Sequence, residues 1–267
     1  MSLSNSPGNP NLTKGWGGPV MGAAFLMATS AIGPGFITQT TVFTNLLLSS
    51  FGFVILVSIL LDIIAQLNIW RIIVVSGLRA HDLANNLLPG LGYLLSFLVV
   101  AGGIAFNIGN VAGAGLGINV LTGIDILPGA IISAFIALVI FWFREAGKAM
   151  DLLSKILGFV MIGLTLYVAI SSGPPLLDAV HHSFFPSVID TTAIVTLVGG
   201  TVGGYISFAG AHRLLDANIK GVASLPQVSK SSVSAILLAS TMRILLFLAT
   251  LGVVVGGASL SRENPAA

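Results

Sequence analysis

The sequence predicts an all-α, polytopic membrane protein, and three observations support this fold class. Apolar residues make up 55% of the 267 residues, residues Asp, Glu, Lys and Arg only 7%, and the mean hydropathy is +1.01. Soluble domains carry about a quarter of their residues as charges, so these few charges cannot build a water-facing surface. The apolar runs are also continuous over about twenty residues or more, which is typical of membrane helices and not of the shorter, alternating strands of a membrane β-barrel.

The chain begins with a polar tail, residues 1–17, which is rich in Ser, Asn, Pro and Gly. This tail contains one Lys and lacks the apolar core of a cleavable signal peptide, so the first apolar helix is expected to direct membrane insertion. The chain has no cysteine, which excludes disulfides, thiolate metal sites and thiol catalysis. The net charge of +2 is small, and no nucleic-acid partner is expected.

Seven apolar runs are long enough to be membrane spans. They cover residues 19–48, 51–75, 91–121, 127–143, 153–170, 193–211 and 233–255. The first and third runs are long for a hydrocarbon core of about 30 Å, so a tilted or broken helix is expected in each.

The positive charges give an orientation, because Lys and Arg collect in cytoplasmic loops. With the N-terminus inside, the following residues fall at cytoplasmic ends or loops: Lys14, Arg71, Arg79, Arg144, Lys148, Lys155, Arg213, Lys220 and Lys230. Arg262 alone falls in an external loop. The sequence therefore predicts a multi-pass cell-membrane protein with a cytoplasmic N-terminus.

Two of the predicted spans contain clusters of residues that break helices. The first span contains Gly33-Pro34-Gly35, and the sixth contains Gly199-Gly200-Thr201-Val202-Gly203-Gly204. Such breaks at matching places in two inverted halves mark the substrate site of many secondary transporters, since unwound backbone offers free amide and carbonyl groups. The alternative is that these glycines only permit close helix packing.

The five-span spacing between the breaks indicates an inverted repeat of five helices. Spans one to five, residues 18–172, would form the first repeat, and residues 173–192 an external loop. Spans six and seven, residues 193–256, would open a second repeat, and residues 257–267 would be a second external loop. A complete second repeat needs at least three further spans, so the chain is expected to be a fragment whose C-terminal helices are missing.

Several motifs resemble those of the natural resistance-associated macrophage protein (NRAMP) family. The resemblance covers nearly the whole chain and rests on Gly33-Pro34-Gly35-Phe36, on residues 111–113 and 117–123 around the end of the third span, on residues 155–159 opening the fifth, and on residues 198–202 in the sixth. Members of this family are proton-coupled carriers of divalent metals. The resemblance therefore implies a LeuT-type inverted-repeat fold and secondary transport, with metal ions as the expected cargo.

The chain departs from that family where metal-carrying members bind their ion. Their Asp-Pro-Gly-Asn motif has no counterpart, because residues 36–45 contain no carboxylate, and Gly203-Gly204-Tyr205 replaces their Met-Pro-His motif. Their paired acids in the third span correspond to Asn107 and Asn110. The resemblance thus supports the fold more strongly than it supports the cargo, and it identifies no metal ligands in this chain.

The candidate substrate site combines the two breaks with the polar residues beside them. It comprises Gly33, Pro34, Gly35, Thr38, Gln39, Thr40, Gly199, Gly200, Thr201, Gly203, Gly204 and Tyr205. Neutral hydroxyl and amide groups can hold a hydrated divalent ion such as Mg²⁺ or a small polar organic solute. The alternative is that these polar groups only satisfy the broken backbone.

Five further residues are candidates for coupling or for an ion pathway: Asp62, Asn107, Asn110, His212 and Arg243. Asp62 and Arg243 lie about 17 and 18 Å along their spans, near the membrane midplane, where an unpaired charge is costly. They are expected to face the interior and to neutralise each other, directly or through one polar group such as Gln66. The alternative to a coupling role is a purely structural ion pair.

No enzyme motif occurs, and no cofactor is expected. The sequence predicts a secondary active transporter, with proton- or ion-coupled divalent metal transport as the first function. Its partners would be the lipid bilayer and the transported ion or solute. The alternatives are a symporter for a small polar organic solute and a seven-helix receptor; further spans after residue 267 would favour a carrier, and a soluble tail would favour a receptor.

Overall fold

The computed structural model describes residues 19–142 and 146–257, and all regular structure in these two ranges is helical. The polar tail, Lys14, Arg144, Arg262 and nearly all of the loop predicted at residues 257–267 lie outside the described residues. The described ranges contain eleven α-helices: α1 (Pro19–Ala31), α2 (Pro34–Leu47), α3 (Phe51–Ser76), α4 (Ala80–Leu87), α5 (Leu91–Thr122), α6 (Ile126–Trp142), α7 (Ala146–Ser171), α8 (Leu176–Phe184), α9 (Thr191–Val202), α10 (Ile206–Asp216) and α11 (Leu225–Val255).

Four helical stretches of the described chain are long and apolar enough to cross a membrane: Pro34–Ser76, Leu91–Thr122, Thr191–Asp216 and Val222–Val255. A fifth would be the end of α7 taken together with α8, although these two helices meet at 107°. The stretch Pro34–Ser76 contains both α2 and α3, which are joined by a 3₁₀ turn at Leu48–Ser50. The protein is therefore helical and suited to a membrane, while the count of seven spans and the inverted repeat remain predictions.

The central helix of the fold is α11, which packs against α1, α2, α3 and α7. Two buried apolar clusters hold this arrangement together. One surrounds Trp70, Met27 and Ile236, and the other surrounds Phe51 and Leu197. Helices α5 and α6 pack mainly on each other, and α5 contacts the helices around α11 chiefly through α2.

A close approach between α3 and α10 fixes the second half of the sixth span. The indole Nε1 of Trp70 donates a hydrogen bond to the Ser207 carbonyl oxygen at 2.9 Å. The indole ring lies directly on Gly210, where an added Cβ would overlap it. Because only glycine leaves room for this ring, α10 is held against α3 immediately after the break in the sixth span.

Candidate functional site

The first span is broken, as the sequence predicts, but the break is short. Helix α1 ends at Ala31 and α2 begins at Pro34, so Ile32 and Gly33 separate them. Proline stands at the first position of α2, where its missing N–H is tolerated and its fixed φ favours a helix start. Helix α2 then continues without interruption through Thr40, whose hydroxyl donates to the Phe36 carbonyl oxygen at 2.8 Å.

The sixth span is also broken, at the downstream end of the predicted cluster. Helix α9 continues through Gly199, Gly200 and Thr201 to Val202, and α10 begins at Ile206. Gly204 has a φ of +57°, a left-handed conformation that glycine adopts without steric cost. Only residues 203–205 are outside a helix here, so the break lies at the downstream end of the predicted range 199–204, and residues 199–202 are helical.

A cavity of about 400 Å³ lies between α2, α5 and α9, beside the first break. We call it the central cavity, and its lining residues are Gly35, Phe36, Gln39, Gly102, Ala105, Phe106, Gly109, Asn110, Thr196, Gly199 and Gly200. Gln39 crosses towards α9, since an added Cβ on Gly200 would lie 2.8 Å from the Gln39 Oε1. Asn110 reaches the first break, because a Cβ on Gly33 would lie 2.6 Å from the Asn110 Oδ1.

The structure therefore brings part of the predicted substrate site together. Gly35, Gln39, Gly199 and Gly200 line the central cavity, and Asn110, predicted as a pathway residue, lines it too. Sequence reasoning did not identify Phe36, Phe106 or Thr196 as lining residues. Phe36 could have been found because it follows Gly35 directly in the break motif, whereas no local pattern distinguishes Phe106 from other residues of α5.

Other predicted site residues lie elsewhere. Thr38 is exposed on α2, and the hydroxyl of Thr201 donates to the Leu197 carbonyl oxygen within α9. Pro34 packs against Gly113 of α5. Asn107 lines a different cavity of about 630 Å³ and donates to the Gly103 carbonyl oxygen.

Tyr205 and His212 line a third cavity, of about 220 Å³, close to α4. The Nε2 of His212 accepts a hydrogen bond from the Ala80 backbone N–H at 3.3 Å. Gly203 and Gly204, between α9 and α10, line none of the three cavities described here. Of the predicted site residues of the sixth span, Gly199 and Gly200 thus line the central cavity, and Tyr205 lines this third cavity.

The lining of the central cavity is uncharged and largely apolar, and Gln39, Asn110 and Thr196 supply its polar side chains. The Oε1 of Gln39 is buried and accepts no hydrogen bond. Neither carboxylate nor imidazole lines the central cavity, and the described residues contain no cluster of three or more His, Asp or Glu side chains able to hold a metal ion. The arrangement can therefore hold a solute through amide groups and water, but it offers no direct anionic ligand.

Asp62 and Arg243 face the interior, as predicted, with 1% and 3% of their surface exposed. The predicted direct ion pair is not formed, because no N–O distance of 4 Å or less joins the Asp62 carboxylate to the Arg243 guanidinium. The Arg243 guanidinium instead lies 4.2 Å from the centre of the Phe36 ring. Its Nε and one terminal nitrogen have no hydrogen-bond partner, and neither has the Asp62 Oδ1.

The predicted bridging role of Gln66 is also absent. Its Nε2 donates to the Ser232 carbonyl oxygen at 3.0 Å, and its Oε1 accepts from the Ser207 hydroxyl at 3.4 Å. The amide thus joins α3 to α10 and α11. Asp62 lies beside Thr201 and still attracts Arg243 electrostatically, so the two opposite charges remain coupled through space.

Comparison with known proteins gives consistent matches over most of the chain. The family model described as Nramp, natural resistance-associated macrophage protein-like, matches residues 24–260. An "Uncharacterized membrane protein" of Haemophilus influenzae is 64% identical over 247 residues, which are 92% of this chain and 62% of that protein. The "Uncharacterized membrane protein YcsG" of Bacillus subtilis is 65% identical over 248 residues, 93% of this chain and 61% of that protein. The chain therefore spans about three fifths of the length of these curated relatives.

Proposed function

Because the chain belongs to the natural resistance-associated macrophage protein-like family, we propose that it forms part of a multi-pass secondary transporter. In this proposal the protein lies in the cell membrane with a cytoplasmic N-terminus, as the positions of Lys and Arg indicate. The curated relatives are described as membrane proteins, which supports the location. Spans six and seven would open a second repeat related to the first by an inverted arrangement.

The central cavity is the proposed substrate site. The observation that carries this assignment is the Oε1 of Gln39, which is buried beside Gly200 without a hydrogen-bond partner. Burying an amide oxygen without a partner is unfavourable, so a polar ligand or water in the cavity would satisfy it. The first break borders this cavity, as expected for a transporter that binds its substrate at broken helices, and the sixth span contributes Gly199 and Gly200, which lie just before its own break.

A hydrated divalent cation is the proposed cargo. Gln39 and Asn110 can accept hydrogen bonds from the water shell of an ion such as Mg²⁺, which gives up its water reluctantly. The cavity lacks the carboxylate or soft sulfur ligand that would help to strip water from Mn²⁺ or Fe²⁺. Family membership supports a metal ion as the cargo, and the lining supports one that stays hydrated.

A small polar organic solute is the second candidate cargo. The specific observation in its favour is an uncharged lining in which the aromatic rings of Phe36 and Phe106 stand beside two side-chain amides. A cavity of about 400 Å³ also lies within the range of small-molecule sites, roughly 300–1,000 Å³.

The buried charges are the proposed coupling element. Two ionised groups deep in an apolar span cost several kcal/mol unless they are paired or hydrated, which makes them functional candidates. Asp62 forms no direct ion pair with Arg243, and its Oδ1 is free to bind a proton. Arg243 lies on Phe36, a residue of the central cavity, so protonation of Asp62 would change the electrostatic field next to the substrate.

Uptake into proteoliposomes tests the site and the cargo together. We expect Mg²⁺ uptake that a pH gradient stimulates, and a reduction of at least about tenfold in the Gln39→Ala, Asn110→Ala double variant, since two ligand hydrogen bonds to the cavity are lost. Thr38→Ala is the matched control because Thr38 is exposed on α2 and does not line the cavity. Amino acids and Mn²⁺ are tested in parallel, and uptake of an amino acid without Mg²⁺ uptake would establish the second candidate. Unchanged uptake of every cargo by the double variant would contradict the site.

A further inference from the structure

The third cavity, which Tyr205 and His212 line, lies next to the central cavity, on the side of α4 and α10. Its volume is about 220 Å³, and we call it the α4 cavity. His81, Ser96, Val99, Tyr205, Phe208 and His212 contribute to its lining. The ring of Phe208 is stacked on His212 at 6.2 Å, which holds this imidazole at the cavity wall.

One pair of aromatic rings connects the walls of the two cavities. Phe106 lines the central cavity, Tyr205 lines the α4 cavity, and their ring centres lie 5.9 Å apart in an edge-to-face arrangement. The Tyr205 ring also lies against α5, since a Cβ added to Gly103 would stand in van der Waals contact with this ring at 3.5 Å. The two cavities are therefore adjacent and are separated at this point by these two rings.

Tyr205 stands at a place where the backbone can change direction. It precedes α10 directly and follows Gly203 and Gly204, which belong to neither helix. A few backbone rotations at such a junction can move a side chain without unfolding the helices on either side. Helix α10 itself is anchored by Trp70, whose indole donates to Ser207. The moving part would thus be the short junction, while α10 stays in place.

We propose that the α4 cavity is a second site on the solute path and that Phe106 and Tyr205 form the gate between it and the central cavity. The inference rests on the proposed function, since it takes the central cavity as the substrate site. The gate is closed in this structure. When Tyr205 leaves Phe106, a hydrated cation or a small polar solute can pass to a cavity lined by the Ser96 hydroxyl and the imidazoles of His81 and His212.

The absence of cysteine makes this gate testable with single introduced thiols. The Thr196→Cys variant places a thiol in the central cavity, and the Ala209→Cys variant places one in the α4 cavity. A charged, membrane-impermeant methanethiosulfonate is added to one side of sealed vesicles at a time, and labelling rates are measured. We call the side of the membrane nearer to the α4 cavity the α4 side. Reagent added from this side should label Ala209→Cys fast and Thr196→Cys slowly.

Opening the gate should change one of these rates selectively. Adding Tyr205→Ala to Thr196→Cys should raise labelling from the α4 side at least about tenfold, because the ring that closes the path is gone. Tyr205→Phe keeps the ring and should leave the rate low, and Tyr93→Ala is the control on an exposed tyrosine of α5. If the Tyr205→Ala protein does not fold, Phe106→Ala removes the other ring of the pair and should have the same effect.

The labelling experiment separates the gate from the transport function. Equal labelling of Thr196→Cys with and without either aromatic ring would overturn the gate, whatever the cargo. Slow labelling of Ala209→Cys from both sides would overturn the assignment of the α4 cavity to the path. Loss of uptake is not part of this readout, so a failed substrate assignment would appear in the proteoliposome assay while the labelling result still decides the gate.

Discussion

At the scale of single residues, the buried pair Asp62 and Arg243 is the feature most open to experiment. Asp62→Asn removes a buried negative charge and leaves the buried Arg243 guanidinium without an opposite charge in the interior, which destabilises the fold. We therefore expect a lower unfolding temperature and reduced yield for Asp62→Asn, measured by thermal unfolding in detergent. The charge-swapped double variant, Asp62→Arg with Arg243→Asp, should recover stability, because both charges are again present.

The double variant also separates a structural role from a coupling role. If Asp62 carries the proton, uptake driven by a pH gradient should stay absent in the double variant although the protein folds, since the acid then stands on α11 instead of α3. Full recovery of gradient-driven uptake would show a structural pair only. The Gln66→Leu variant is compared with Asp62→Asn. It removes a buried but uncharged polar group and its hydrogen bonds to Ser232 and Ser207, so it shows the effect of losing polar contacts without losing a charge.

At the scale of helices, the packing of α5 against the first break depends on Gly113. An added Cβ at this position would overlap the ring of Pro34, the residue that starts α2. Gly113→Ala should therefore push α5 away from α2 and destabilise the protein by about 1–3 kcal/mol, as overpacking does in tight cores. Thermal unfolding is the measurement.

Gly117 provides the matched control for this prediction. It lies one turn further along α5, and nothing stands within 4 Å of an added Cβ. Gly117→Ala should leave stability unchanged or raise it slightly, because alanine favours a helix over glycine by about 1 kcal/mol. Equal stability of the Gly113→Ala and Gly117→Ala proteins would mean that the contact with Pro34 does not limit the packing of α5.

At the scale of the whole molecule, α5 is poorly covered by the rest of the described chain. Among its 32 residues only Gly92 and Gly115 are buried. The curated relatives are longer than this chain, and we expect part of their additional length to pack on this helix. We predict that the full-length Bacillus subtilis relative stays monodisperse at higher temperature than the 267-residue chain in the same detergent, measured by size-exclusion chromatography after heating.

A second comparison tests whether lipid alone can pack against the exposed surface of α5 as well as protein does. Reconstitution of both proteins into lipid nanodiscs gives this comparison, because apolar faces are satisfied by lipid whereas small-residue faces are packed best by a helix. A 267-residue chain that stays monodisperse up to the same temperature as the full-length relative, both in detergent and in nanodiscs, would contradict the prediction.

The helix breaks illustrate how far sequence reasoning reached. The first break was predictable because Pro34 has no N–H to continue the ladder of α1, a property of one residue and its place in the chain. The second was displaced to residues 203–205, because a glycine inside an apolar helix weakens it without ending it, and only the conformation at Gly204 shows where the chain turns.

The sequence by itself determined that the protein is helical, that it belongs in a membrane, and that Asp62 and Arg243 lie in its interior. Each of these follows from local composition and from the cost of exposing charge to lipid. The tertiary structure decided which polar groups share a cavity. Thr38, Gln39 and Thr40 are neighbours in the chain, but successive residues of a helix point about 100° apart. The packing of α2 against α5 and α9 points Gln39 into the cavity and leaves Thr38 exposed. Thr40 is buried, and its hydroxyl donates to the Phe36 carbonyl oxygen of the same helix.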